Sequence, residues 1–162
     1  MFITKFLKTL KFTKMKTIKK ILFLSFFLLG KNFLFAQVSP YEVKVGNPLR
    51  KTILEVVRTP TNKELGQKVE FVVNIMMQKG NWAFVQGMTQ QTGGKPLDPK
   101  KFIDKEDKAA AEEGLWDDNF QAVLKKKNGK WEIVQRSLGC TDVCWAGWWN
   151  EIKGVPRDIF PQ

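Results

Sequence analysis

The chain has no histidine among its 162 residues. Catalytic triads and dyads built on histidine, haem ligation through histidine and nearly all mixed zinc sites are therefore excluded. Only two cysteines are present, and two thiolates without a third ligand make a poor zinc site. No catalytic motif is recognisable elsewhere, so we predict no catalytic residue, no metal and no cofactor.

Acidic residues are missing from the first 36 residues, which contain eight lysines. The rest of the chain has 19 basic and 16 acidic side chains, so the net charge of +11 falls to +3 once the first segment is set aside. A surplus this small gives no electrostatic footprint for phosphate groups. We therefore expect no nucleic-acid partner.

The first 36 residues are typical of an export signal. The apolar run Ile21–Leu29 follows a lysine-rich start, and the small residue Ala36 precedes Gln37, so we predict cleavage after Ala36. Met15 opens a shorter version of the same pattern and is an alternative start. A retained membrane anchor is the competing interpretation, but the run is far shorter than the ~20 apolar residues of a spanning helix, and Lys31 interrupts its continuation.

Residues 37–162 form the predicted mature domain, which is long enough to bury a single core. Removal of the signal would leave a periplasmic or secreted domain without membrane contact. Asn47 offers a capping side chain and Pro48 suits the first helical position, so we predict a helix from Pro48 to about Arg58. The pair Thr59-Pro60 is expected to end this helix, because the residue before a proline is pushed out of the helical region.

A first hairpin is predicted where the apolar residues switch to a period of two. Its strands cover 68–78 and 82–88, and the turn is Lys79-Gly80-Asn81. The first strand is expected to place one set of apolar side chains on a single face: Val69, Phe71, Val73, Ile75 and Met77.

A second hairpin is predicted around Asn128-Gly129, because both residues readily take the positive φ of a tight turn. Its strands are 120–124 and 130–136, and a short exposed helix is expected over 104–113. The order of elements predicts an α+β domain, in which a four-stranded antiparallel sheet of two hairpins packs against an N-terminal and a C-terminal helix.

Both cysteines lie in the stretch GCTDVCWAGWWN, residues 139–150. The spacing of Cys140 and Cys144 is one residue wider than the thioredoxin-type redox motif. In an exported protein such a pair most simply closes a disulfide, and residues four apart in a helix are within bonding range. Two free buried thiols and a redox or metal centre are the alternatives.

The same stretch predicts the C-terminal helix, with Thr141 and Asp142 at its start. Trp145, Trp148, Trp149 and Ile152 would then form one stripe that packs on the sheet. Three tryptophans exceed what a small sheet face usually covers, so at least one ring is a candidate for stacking on a sugar or another ring. The candidate binding residues are Trp145, Trp148, Trp149, Trp82 and Gln86.

Carboxylates are the remaining acid–base candidates. Asp117 and Asp118 precede the third predicted strand, Asp142 opens the last helix, and Glu132 lies in a strand. Adjacent aspartates point in different directions in an extended chain, so a solvated loop is the simpler interpretation of the Asp117-Asp118 pair. Further polar strand residues would either line a concave face or form the wet side of the sheet: Gln90, Gln135 and Arg136.

The segments Asn81–Gly87, Val123–Val134 and Gly139–Trp145 resemble a group of small exported bacterial proteins of no established function. The resemblance extends from Pro48 to Pro161 and implies that Cys140 and Cys144 are a local addition, since cysteine is unusual there in the group. A helix followed by a curved antiparallel sheet is also similar in topology to cystatin-like and nuclear-transport-factor-like folds. Those folds host enzymes, inhibitors and binding modules alike.

These observations lead to two hypotheses from different classes. The first is an exported, non-catalytic domain that binds an envelope protein or a small ligand through the sheet face or the tryptophan-rich helix. The second is a histidine-free hydrolase or isomerase that works through a carboxylate of raised pKa in a sheet cavity. Carboxylates open to solvent would count against the second hypothesis.

Overall fold

The computed structural model describes residues 38–162, and the predicted signal peptide, 1–36, lies outside them. Its elements are β1 (Tyr41–Glu42), α1 (Pro48–Glu64), β2 (Glu70–Lys79), β3 (Trp82–Gln90), α2 (Lys105–Glu112), β4 (Asn119–Lys127), β5 (Lys130–Leu138) and α3 (Trp148–Glu151). Single 3-10 turns occupy Pro99–Lys101 and Arg157–Ile159. The α+β class with an antiparallel sheet is confirmed. No helix within residues 38–162 has the length and apolar character needed to cross a bilayer.

The sheet has five strands in the order β1-β2-β3-β4-β5, so the predicted number of four is wrong. The additional strand is β1, in which Tyr41 pairs with Gln78 and Glu42 pairs with Met77. A strand of two residues is too short to show an alternating pattern, so the sequence contained no signal for it.

Helix α1 continues past Pro60 to Glu64, and its predicted end at Thr59-Pro60 is wrong. The side chain of Asn47 accepts a hydrogen bond from the backbone of Leu49 at 2.9 Å, as a capping residue should. Burial of one helix face outweighs the hydrogen bond that Pro60 cannot donate. That face consists of Ile53, Val57 and Thr61.

Strand β2 contains a bulge at Asn74, because the register shifts between Val73, opposite Gly87, and Ile75, opposite Gln86. A shift of one residue turns the side chains that follow to the other face of the sheet. The single apolar face predicted for this strand is therefore wrong. Phe71 and Val73 pack on the side of α1. Ile75 and Met77 pack on the opposite side.

The sheet is covered on both faces. Between α1 and the sheet lies one hydrophobic core. Its buried residues are Val43, Ile53, Val57, Met76, Ala83, Val85, Phe120, Ala122, Leu124 and Trp131. The opposite face carries a second core, to which the C-terminal segment contributes: Trp82, Phe84, Val123, Trp148, Ile152, Val155, Ile159 and Phe160. The C-terminal segment therefore covers part of the sheet face that α1 leaves free.

The two predicted hairpins and the short helix α2 are present. Asn128 and Gly129 have φ values of 49° and 80°, as the predicted turn requires. The carboxylate of Asp104 caps α2 by accepting hydrogen bonds from the backbone N–H groups of Glu106 and Asp107. These elements depend on short-range turn and capping chemistry, which the sequence displays directly.

The predicted C-terminal helix from Thr141 is wrong, because the regular helix α3 comprises only Trp148–Glu151. Thr141 and Asp142 lie in a bend, and turns follow as far as Gly147. Gly147 has a φ of 96°, a left-handed conformation that interrupts a right-handed helix at this point. The two cysteines therefore lie in a loop before the helix, not in its first turn.

Candidate functional site

A patch of the second sheet face is left beside the part that the C-terminal segment covers. Phe84 and Val123 are paired across β3 and β4 and belong to the covered core. Two residues further along each strand, Gln86 pairs with Gln121 and must point to the same side. We call this patch the glutamine face, and its residues are Val72, Gln86, Met88, Gln121 and Ser137.

The glutamine face combines apolar side chains with neutral polar ones. Val72 is 45% exposed and its cross-strand partner Met88 is 44% exposed. Gln86 is half-buried, and Ser137 lies beside Gln121 across the pair of β4 and β5. None of the five residues carries a charge, so the patch can hydrogen-bond an uncharged group and contact an apolar one at the same time.

Gln121 is the unusual residue of this patch. It is only 2% exposed, and its Oε1 is buried without a hydrogen-bond partner. A buried acceptor left unpaired costs about 1–3 kcal/mol, so most such atoms in proteins find a donor. The oxygen therefore has unused capacity to accept a hydrogen bond.

A loop closed by the two cysteines is attached to the sheet near Gln121. The backbone of Cys140 is held by Asn119, whose Oδ1 accepts from Cys140 N at 3.1 Å while its Nδ2 donates to Cys140 O. Trp145 rests on Phe84, with 5.9 Å between the ring centroids. Asn119 and Phe84 lie on either side of the row that contains Gln121, so the chain between these two attachments spans that row. We call residues 140–145 the cystine loop.

The disulfide between Cys140 and Cys144 is present, as predicted, with 6.3 Å between the Cα atoms. It joins the first and the fifth residue of the cystine loop. Residues 141–143 between the cysteines are exposed, and Cys144 is half-buried. The bridge therefore closes a loop and does not lie within a helix.

The structure separates the predicted tryptophan candidates into two groups. Trp148 is 4% exposed and Trp82 is 8% exposed, so both belong to the core and neither presents a ring for stacking on a partner. Trp145 and Trp149 are half-buried, with their ring centroids 6.0 Å apart. Both also contact Phe160. Trp145 contacts Phe84, the covered core residue next to Gln86 on the same side of β3.

The candidate carboxylates do not converge on the glutamine face as a catalytic set. Asp117 and Asp142 are exposed. Glu132 is also exposed and pairs with Lys127 at 3.1 Å. Asp118 is half-buried, and burial raises the pKa of its carboxyl, with a further increase from the charge of Asp117. Within residues 38–162, no three side chains of the metal-binding types come together.

A shallow groove of about 380 Å³ runs along α1 between Gly46 and Arg58, on the other side of the sheet. Two arginines line it, but both are engaged with backbone carbonyls. Arg50 Nη1 donates to Val43 O at 3.0 Å, and Arg58 Nη1 donates to Val69 O. The groove therefore offers less unused hydrogen-bonding capacity than Gln121.

The sequence indicated Gln86 as a possible binding residue but missed Gln121. A signal was available, since Gln121 is the polar residue inside the otherwise apolar run Phe120–Leu124. The sequence alone did not show that this residue is buried, because its burial depends on contacts between segments that are distant in the chain.

Comparisons of the chain with models of known protein families, with curated proteins and with solved structures gave no match. The resemblance to a group of exported bacterial proteins and the topological likeness to cystatin-like folds therefore stay predictions.

Proposed function

We propose that this chain is an exported, non-catalytic binding domain that takes an uncharged small ligand on the glutamine face. The observation that carries the proposal is the buried and unpaired Oε1 of Gln121 beside the half-buried amide of Gln86. A donor group of a ligand would remove the cost of leaving that oxygen unpaired.

The chemistry of the patch favours a neutral saccharide as the class of ligand. The amides of Gln86 and Gln121 can each donate and accept, which matches neighbouring hydroxyl groups. Val72 and Met88 provide exposed apolar surface for the apolar side of a sugar. A charged ligand would meet no opposite charge among these residues.

Two features support export. The first 36 residues have the lysine-rich start and apolar run of a signal peptide. The disulfide between Cys140 and Cys144 is typical of an oxidising compartment such as the periplasm or the extracellular space. A cystatin-like topology is part of the same proposal, since α1 packs on one face of an antiparallel sheet that follows it in sequence.

The test is a titration of the full chain, labelled with ¹⁵N in its glutamine side chains, with neutral oligosaccharides of glucose, galactose and N-acetylglucosamine. We expect saturable shifts of the Gln86 and Gln121 amide signals. Binding should be lost in Gln86→Leu and Gln121→Leu. The matched control is Gln78→Leu, because Gln78 lies on β2 outside the glutamine face and should leave binding intact.

Two results would count against the proposal. One is the absence of any shift at Gln86 and Gln121 with all three saccharides, which would exclude neutral saccharides as the class of ligand. The other is equal binding by Gln121→Leu and Gln78→Leu, which would move the site away from the glutamine face. Preference for sulfated dextran over neutral dextran would show that the ligand is anionic, contrary to the proposal.

A carboxylate-dependent hydrolase or isomerase is the second candidate, and the raised pKa of Asp118 is the observation that favours it. It is the weaker proposal because Asp117 and Asp142, which would have to assist, are open to solvent. Hydrolysis of chromogenic ester or glycoside substrates that disappears in Asp118→Asn, but not in Asp142→Asn, would support the enzyme.

A further inference from the structure

We propose that the Cys140–Cys144 disulfide holds the cystine loop closed over Gln121, and that reduction of this disulfide by a dithiol opens the glutamine face. This inference rests on the proposed binding function, because it concerns access to the same site. It concerns the cover, however, and is tested without any ligand.

The cystine loop is attached to the sheet near its two ends. Asn119 holds Cys140 through two hydrogen bonds, and Trp145 packs on Phe84. Backbone hydrogen bonds within the loop and directly after it are local: Cys144 N donates to Asp142 O at 2.9 Å, and Ala146 N donates to Val143 O at 2.9 Å. The bridge is therefore the main restraint on the middle of the loop.

Reduction of the disulfide would allow the loop to extend. The disulfide keeps the Cα atoms of Cys140 and Cys144 6.3 Å apart. Without it, a segment of this length can extend to about 13 Å, since an extended chain advances by about 3.3 Å per residue. The loop can then lift from the sheet while Asn119 and Phe84 still hold its ends.

The buried oxygen of Gln121 favours opening. In the closed form its Oε1 has no hydrogen-bond partner. Once the loop lifts, water or a ligand hydroxyl can donate to this atom, which offsets the loss of contacts made by the loop. A ligand that binds the open form better must shift the equilibrium toward it, and reduction must in turn strengthen binding of the ligand.

The reaction is a thiol–disulfide exchange with a dithiol as reductant. One thiolate of the reductant attacks a sulfur of the bridge and forms a mixed disulfide, and its second thiolate then displaces the remaining cysteine. The S–S bond between Cys140 and Cys144 breaks, and both cysteines become thiols with two protons from the solution. The reductant supplies two electrons and leaves with its own disulfide.

The experiment measures solvent access to the side-chain amide of Gln121 in the full chain labelled with ¹⁵N-glutamine. A soluble gadolinium chelate increases the relaxation rate of protons that it can approach. In the oxidised protein we expect the relaxation enhancement at Gln121 to be far below that at Gln86. After reduction with dithiothreitol it should rise several-fold, toward the value at Gln86.

The double variant Cys140→Ser/Cys144→Ser should show the raised value without reductant and should not respond to dithiothreitol. Backbone amide signals of β3 and β4 report whether this variant folds. If the variant does not fold, the reduced wild type alone decides whether loss of the disulfide exposes Gln121. Equal relaxation enhancement at Gln121 in the oxidised and the reduced wild type would contradict the proposal that the disulfide holds the loop over this residue. If reduction exposes Gln121 but no saccharide binds, the proposed role of the disulfide stands and the proposed class of ligand is rejected.

Discussion

The guanidinium of Arg58 lies over the ring of Phe71, 5.1 Å from the ring centroid, and its Nη1 donates to the carbonyl of Val69. Strand β1 pairs only with Met77 and Gln78, so the first half of β2 is an open edge of the sheet. An open edge presents unpaired backbone groups to other chains. Arg58 therefore protects the edge at the point where β1 does not reach.

Replacement of Arg58 by alanine should lower the free energy of unfolding by about 2 kcal/mol, from the lost contact with Phe71 and the unpaired carbonyl of Val69. It should also raise self-association, because the edge is uncovered. Chemical denaturation and sedimentation velocity measure the two effects. Lys63→Ala, at an exposed position of the same helix, is the control. Unchanged stability and sedimentation of Arg58→Ala would show that the edge needs no protection.

Gly139 is a position where an added methyl group would collide with a neighbouring side chain. A Cβ there would overlap the indole of Trp116, and the φ of 68° already disfavours any other residue. We expect Gly139→Ala to cost more than about 3 kcal/mol, since overpacking adds to the cost of a left-handed conformation. Gly114→Ala is matched in φ, at 73°, but has no neighbouring atom within 4 Å of the added Cβ. It should lose only about 1–2 kcal/mol. Equal losses in a denaturant titration would contradict the contact with Trp116.

The features that the sequence predicted correctly are governed by residues close in the chain. Asn128-Gly129 specifies its turn, Asp104 caps α2, and the two cysteines four residues apart form the expected disulfide. In each case the groups that interact are within a few residues of one another, so the pattern contains the information. The α+β class followed from the order of such local elements.

The errors have a common origin in packing between distant segments. Helix α1 continues through Pro60 because its buried face continues, and the bulge at Asn74 is set by pairing with β3. The tryptophan stripe suggested a long C-terminal helix, but Trp145 and Trp148 fill the same core from a loop and a single helical turn. Gln121 was missed because its burial depends on segments that are distant from it in the chain.

Adjacent tryptophans of α3 should respond differently to truncation. Trp148 is 4% exposed, and Trp148→Ala should lower the free energy of unfolding by about 3–5 kcal/mol, as expected for a buried aromatic side chain. Trp149 is half-buried, with Arg157 over its ring at 5.1 Å, so Trp149→Ala should cost distinctly less. Urea titrations of the two variants give the comparison. A larger loss of stability in Trp149→Ala than in Trp148→Ala would contradict the deeper burial of Trp148.

The stability of the fold should depend on pH through Asp118. Burial and the charge of Asp117 raise the pKa of the Asp118 carboxyl above its ordinary value of 3.8. A carboxyl with a raised pKa in the folded state binds a proton more tightly there than in the unfolded chain. Its contribution to stability is therefore fully present below 3.8 and is lost as the pH rises through the raised pKa.

Asp118→Asn removes this charge while keeping the size of the side chain, so the variant should be more stable than the wild type at neutral pH. The difference should vanish below 3.8, where the wild-type carboxyl is neutral in the folded and the unfolded state. Urea titrations across the acidic range measure both limits, with Glu112→Gln at an exposed carboxyl of α2 as the control. A loss of stability in Asp118→Asn at neutral pH would show that the charged form is stabilised by a donor. The pKa of Asp118 would then have to lie below its ordinary value, and its candidacy as a general acid would end.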